Sequence, residues 1–208
     1  MGKKITNYTH LSEYELKILD GLLISDASIV KEHNNPNRTA RFQLTTIHKE
    51  FANHIENKLP LNFSTYYRKR IFKSGSKSNS YTVQSRSDLV LEDIYLKWYK
   101  YYNKTIKIIP IDYRIDPISV LYWFLGDGCC SVHLNKYPRL SLATDSFTTD
   151  ENLQLIDQFK FVGIKFNLST QNKLYLSSKK EAINFFNYVP SSPVDCFNYK
   201  WRFMSLVN

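Results

Sequence analysis

The sequence predicts an α+β protein built of two related halves, each running α-β-β-α-β-β-α around an antiparallel sheet. One observation is an apolar stretch that occurs twice and ends each time in a small residue and an aspartate: Leu-Asp-Gly-Leu-Leu-Ile-Ser-Asp (19–26) and Val-Leu-Tyr-Trp-Phe-Leu-Gly-Asp (120–127). Asp26 and Asp127 are 101 residues apart in a chain of 208, one per half. The other observation is that period-two and helical segments follow each copy in the same order.

The first half, 1–105, opens with a helix over about 13–25, apolar nearly all round and therefore buried. A polar turn at His33-Asn-Asn-Pro-Asn precedes the alternating strand 41–45. Lys49 to Leu59 reads as a helix with Phe51, Ile55 and Leu59 on one face, stopped by Pro60. Two strands follow, Ser64–Lys73 and Tyr81–Ser87. Asp88 then caps a helix carrying Leu89, Ile94, Trp98 and Tyr101. The connecting segment 106–116, within a linker that begins near 102, holds Ile106, Ile108, Ile109 and Ile111, which are expected to pack down.

The second half, 117–208, repeats the order. A motif helix over 117–126 is followed by a strand pair whose clearer member starts at Pro138. A helix begins at Thr149 with Leu153, Ile156 and Phe159 inward. Strands around 165–169 and 173–177 and a helix Lys180–Tyr188 complete it.

Lys and Arg number 28 against 19 Asp and Glu, a net charge of +9. A basic chain of this size suits a polyanion, nucleic acid above all. The longest apolar run, Ile118 to Leu125, is far shorter than the roughly 20 residues that cross a bilayer. No apolar signal core follows Met1-Gly-Lys-Lys, so an intracellular protein is expected. Cys129, Cys130 and Cys196 have no zinc-type spacing and read as reduced thiols. The abundance of Lys, Asn, Ile and Tyr points to an A·T-rich gene, as in an organelle (mitochondrion or plastid) or a mobile element; a prokaryotic cytoplasm fits equally.

Each motif places its aspartate where the helix macrodipole is negative and opposes it by roughly 0.3–1 kcal/mol. Two such helices side by side would also set carboxylate against carboxylate. A bound divalent cation would relieve both penalties, so the pattern suggests a metal site.

The paired motif resembles the signature of the LAGLIDADG homing endonucleases in their single-chain, two-motif form. The first copy keeps Gly21, Leu22, Ser25 and Asp26, with Ala27 in place of the usual closing glycine; the second keeps Gly126, Asp127 and Gly128, with Tyr122 where the family usually has its first glycine. The resemblance implies motif helices packed at the centre and two antiparallel sheets forming a DNA-binding saddle. It implies a monomeric, site-specific double-strand endonuclease cutting a long asymmetric site. It also implies divalent metal, Mg2+ with Mn2+ as the alternative, held by Asp26 and Asp127 with the main-chain carbonyls of Ser25 and Gly126. Lys107 and Lys200, 81 and 73 residues after their aspartates, match the family's basic active-site positions.

The expected DNA-facing surface combines the polar side of the alternating strands 41–45 and 139–143 with the basic, aromatic run 66–73, its partner strand and the corresponding positions of the second half. In the first half the candidates are Arg38, Arg41, Gln43, Thr45, Tyr67, Arg68, Lys69, Arg70, Lys73, Tyr81, Gln84 and Arg86. In the second they are His133, Lys136, Arg139, Ser141, Lys165, Asn167, Gln171, Lys173 and Tyr175. Arg, Gln and Asn can read base edges in the major groove. Two other readings share the scaffold: an RNA-binding maturase acting on its host intron, and a non-cleaving DNA-binding protein. Retention of both aspartates favours cleavage.

Overall fold

The computed structural model describes residues 7–31, 39–71, 77–133, 137–176 and 178–206; at 70, 71, 77, 133 and 137 only the backbone is described. The chain divides into two compact units, 1–16 with 26–99, and 17–25 with 100–208.

In the first unit the elements are α1 (Glu13–Ile24), β1 (Ser28–Val30), β2 (Arg41–Thr46), α2 (Lys49–Lys58), β3 (Phe63–Ile71), β4 (Lys77–Ser85) and α3 (Leu89–Trp98), with the later turns of α1 grouped in the second unit. The sheet is antiparallel in the order β1-β2-β4-β3. Alternation along β2 works as predicted: Phe42 and Leu44 are buried, while Arg41 and Gln43 are half-buried and Thr45 is exposed. Val83 of β4, Phe51, Ala52 and Ile55 of α2, and Leu91 and Trp98 of α3 complete that core. Asp88 caps α3 through the Val90 amide at 3.1 Å and also ties down the segment before α1, accepting from Asn7 Nδ2 at 2.7 Å and Thr9 N at 3.0 Å.

The second unit begins with a short ribbon of β5 (Tyr99–Tyr101) and β6 (Thr105–Lys107), across the boundary at residue 100. Then come α4 (Pro117–Asp127), β7 (Gly128–His133), β8 (Tyr137–Leu142), α5 (Thr149–Phe161), β9 (Asn167–Leu168), β10 (Leu174–Leu176) and α6 (Lys179–Tyr188), with 3₁₀ turns at Asp195–Trp201 and Met204–Leu206. Its antiparallel sheet has the order β7-β8-β10-β9, the same permutation as in the first unit. Asp116 and Ser119 form a capping box with Pro117 in the first turn of α4, and Thr148 and Glu151 do the same for α5. Trp123 and Phe124 pack into an aromatic core with Phe159, Phe166 and Phe185; the Phe159 and Phe166 rings are 4.5 Å apart.

The motif helices differ in one respect that the packing explains. Ser119 to Leu125 of α4 are all buried, whereas α1 is buried only from Ile18 onward and leaves Tyr14 and Leu16 exposed. At Gly21 the backbone of α1 lies close against α4. A Cβ built there would lie 2.2 Å from the Ser119 carbonyl oxygen and 2.8 Å from the Tyr122 Cβ. Glycine on one helix is enough: the bulky Tyr122 side chain is itself buried.

Three expectations change. On α5 the inward residues are Asn152, Leu155 and Phe159, while Leu153 is exposed and Ile156 half-buried. Asn152 takes the inward position because its amide donates to the Thr144 and Asn172 carbonyls, each at 3.2 Å. Tyr101 leaves the α3 pattern, since the helix stops at Trp98 and Tyr101 lies exposed on β5. Of the four linker isoleucines only Ile109 is buried; Ile108 is half-buried, Ile106 lies exposed on β6, and Ile111 is 88% exposed. None of the helices among the described residues is long and apolar enough to cross a membrane.

Candidate functional site

Each motif helix ends in an aspartate and a set of carbonyls that the helix itself cannot satisfy. Asp26 stands on the turn after α1 and is exposed; Asp127 is the last residue of α4 and is half-buried. At the end of α1 the Ser25 hydroxyl donates to the carbonyls of Gly21 (3.0 Å) and Leu22 (3.2 Å). The Lys107 ammonium, from β6, donates to the next ones, Leu23 at 2.8 Å and Ser25 at 3.3 Å.

The end of α4 has the same construction, more deeply buried. Lys200, on the 3₁₀ turn Asp195–Trp201, reaches the carbonyls of Phe124 (2.8 Å), Leu125 (2.7 Å), Gly126 (3.3 Å) and Gly128 (2.7 Å). Its side chain is 5% exposed, and the ammonium lies over the Phe124 and Phe197 rings at 5.4 and 5.1 Å. Gly128 is required here for space: a Cβ on it would come within 2.1 Å of the Phe124 ring.

Sequence reasoning found both lysines but attributed to a metal alone the positive charge that the helix ends call for. The structure supplies an ammonium at each. An ammonium has three N–H groups, and Lys200 is shared among four carbonyls, so it acts by fixing the turn that carries Asp127. Lys107, half-buried with two of these contacts, fixes the turn that carries Asp26.

At each helix end an aspartate follows a residue with a main-chain carbonyl, Ser25 before Asp26 and Gly126 before Asp127, oxygen donors of the kind a hard cation takes. Each carbonyl also accepts from its lysine at 3.3 Å, and among the described residues no group of three His, Cys, Asp or Glu could hold a metal ion. An ion held by one or two carboxylates, with carbonyls, waters and substrate phosphates completing the shell, is the pattern of Mg2+.

Sheet register places the other candidates. In the first unit Ser28, Gln43, Gln84 and Ser64 stand directly across from one another, and Thr45, Thr82 and Tyr66 form the next row. Arg41 and Arg68 share this polar face. Arg41, Gln84, Arg86, Ser64 and Tyr66 line one shallow depression. Tyr67, Lys69 and Tyr81 do not share it. Their register puts them on the face of Leu44 and Val83, toward the far end of the hairpin, where Tyr67 and Tyr81 pack ring to ring at 5.3 Å.

In the second unit the matching row is Cys129, Ser141, Tyr175 and Asn167, with Arg139 opposite Ser131. Lys165 and Gln171 are exposed; Lys173 is half-buried, with its ammonium 3.8 Å from Asp145. Arg38, Lys73 and Lys136 lie outside the described residues, and for Arg70 and His133 only the strand backbone is described. Sequence reasoning missed Ser28, Ser64 and Cys129, whose short strands or small side chains give no periodic signal. The three cysteines form no disulfide. Burial, with a smaller contribution from Cys129, pushes the Cys130 thiol up to about 12.

These features have counterparts in known proteins. The model of the LAGLIDADG DNA endonuclease family matches residues 16–186. The uncharacterized protein MJ1098 of Methanocaldococcus jannaschii is 29% identical over 221 residues, spanning 96% of this chain and 82% of that protein. Among solved structures, the homing endonuclease I-WcaI bound to its DNA recognition sequence shares the fold with a TM-score of 0.80 at 20% identity, over 93% of this chain and 88% of that one. With the family match spanning both motifs and both sheets, the chain belongs to the LAGLIDADG DNA endonuclease family.

Proposed function

We propose that the protein is a monomeric, site-specific endonuclease that hydrolyses both strands of DNA at a long asymmetric site with a divalent cation, Mg2+ or Mn2+. The observation that carries this reading is the helix-end construction that occurs in both motifs: an aspartate, a terminal carbonyl, and a lysine from a distant segment tied to the last carbonyls. A carboxylate at a helix C-terminus is unfavourable, and a buried lysine spent on holding one in place is a costly device without a chemical use.

Asp26 with the Ser25 carbonyl at one helix end, and Asp127 with the Gly126 carbonyl at the other, would each offer oxygen ligands to a divalent cation. When bound, it polarises the phosphoryl group and lowers the pKa of a water. Hydrolysis would join a water's oxygen to phosphorus, break one P–O ester bond and deliver a proton to the departing oxygen. Lys107 and Lys200 keep each carboxylate on a fixed turn and supply positive charge near the developing phosphorane charge. The polar rows Ser28–Gln43–Gln84–Ser64 and Cys129–Ser141–Tyr175–Asn167 differ in chemistry, which suits a site without twofold symmetry.

The test is selection of a target from a randomised duplex library, followed by cleavage with wild type, Asp26→Asn and Asp127→Asn. The substitutions keep shape and remove charge. Each variant is expected to bind the selected duplex like wild type and to yield no linear product. A wild-type protein that binds its selected duplex tightly and never cuts it, with either metal supplied, overturns the nuclease reading in favour of a binding protein on the same scaffold.

A further inference from the structure

Resting on the proposed DNA-binding role, we infer that Arg41 and Gln84 act as one composite reading group with a donor-only edge, selecting guanine at the base pair it meets. Arg41 of β2 and Gln84 of β4 share the polar face: Gln84 stands directly across from Gln43, and Arg41 is two residues further along the same strand. That is a diagonal cross-strand relation which long side chains can span. With the Gln84 amide turned to satisfy its neighbours, its oxygen accepts from Arg41 Nε at 2.6 Å and Nη1 at 3.2 Å. The donors fix which end of the amide faces Arg41.

This contact changes what Gln84 can read. A glutamine ordinarily reads adenine with both ends of its amide, giving an N–H to N7 and accepting one from N6. Here the accepting end is turned to Arg41, so the NH2 is the end left for a base. Arg41 has five N–H groups and no acceptor. The pair therefore meets a base with donors alone. In the major groove guanine offers two adjacent acceptors, N7 and O6. Adenine and cytosine each present an amino group that needs an acceptor, and thymine offers one oxygen beside a methyl. Ser64, directly opposite Gln84, and Tyr66 wall the depression in which the pair lies, which confines the approach of the base edge. A phosphate would also accept from such a pair, and the experiment separates the two cases.

Target preferences of the full-length wild type, Arg41→Ala and Gln84→Glu are compared by selection from one randomised duplex library. Wild type is expected to enrich guanine at one position. Arg41→Ala releases the amide oxygen and should move that position, and no other, to adenine. Gln84→Glu keeps a partner for Arg41 but turns an acceptor outward, so guanine should lose roughly 5- to 150-fold there, the range of a good bidentate contact, with cytosine gaining. Uniform loss across all sequences in Arg41→Ala would mark a phosphate contact and overturn the inference, as would a wild-type preference for adenine at the responsive position. Either result leaves salt-dependent DNA binding and cleavage intact, so the proposed function survives it. A chain that selects no duplex overturns both.

Discussion

Replacing Gly21 by alanine tests whether the two motif helices owe their spacing to that one hydrogen. The added Cβ would lie 2.2 Å from the Ser119 carbonyl oxygen, where ordinary contact begins at 3.4 Å, and its neighbours are backbone and a Cβ with no rotamer to yield. Relief requires α1 and α4 to part by about 1 Å in a core that packs like a crystal. Overpacking of this kind costs about 1–3 kcal/mol. Alanine in place of a helical glycine returns up to about 1 kcal/mol, so a net loss of about 1–2 kcal/mol is expected. For a chain of this length that lowers Tm by roughly 2–8 °C. The assay is a thermal melt by circular dichroism beside a cleavage time course on the selected duplex. Cleavage should fall while binding persists, because the turns carrying the aspartates move and the sheet faces do not. Gly163→Ala is the control. At φ 81°, where an added Cβ would meet no atom within 4 Å, it should lose about 1 kcal/mol through backbone strain alone and cut normally. A Gly21→Ala protein that melts at or above wild type and cuts at full rate would refute the close-packing argument.

Binding should weaken steeply with salt: for six to ten phosphate contacts, about 10³–10⁵-fold between roughly 50 and 200 mM. A flat profile removes the nucleic-acid reading. At neutral pH, maleimide should modify exposed Cys129 well before Cys130, whose thiol burial pushes up to about 12. Bound duplex should slow Cys129 labelling severalfold, and an unchanged rate would mean that the row it shares with Ser141 and Tyr175 faces away from DNA. His54 has its pKa lowered by burial first and by Lys58 second, against a smaller opposing effect of Glu50. The unfolded chain therefore takes up that proton before the folded one, and the stability His54 contributes above pH 6.5 is lost as pH falls below it. Melts on either side of that pH should show a slope that His54→Gln flattens.

What could be read from the sequence was whatever repeats with a period. Phe42 and Leu44 against Arg41 and Gln43 announce both strand and face, and the helix expected from Thr149 begins there. Tyr66 to Arg70 alternates in nothing, since every residue there is aromatic or cationic. Their faces are set by pairing with β4, and two candidates of that run, Tyr67 and Lys69, fall on the opposite side together with their β4 neighbour Tyr81. Leu153 misled because an apolar residue at helical spacing looks like core, while a doubly bonded asparagine took the inward place. The lysines were visible by their offsets from the aspartates. What they hold was not, because a contact between residues 76 or 84 apart leaves no local trace.

Those separations bear on the order in which the molecule becomes competent. Neither motif can finish its own end as it is synthesised. The carbonyls at Leu23 wait for an ammonium 84 residues downstream, and those at Phe124 for one 76 residues downstream. Until those segments leave the ribosome, each aspartate hangs from a fraying helix terminus, and the loop closures that end this state are long-range ones. In the proposed nuclease, a nascent chain would then carry acidic residues at both motifs and a firm seat for neither, so that chemical competence arrives as a late event of assembly.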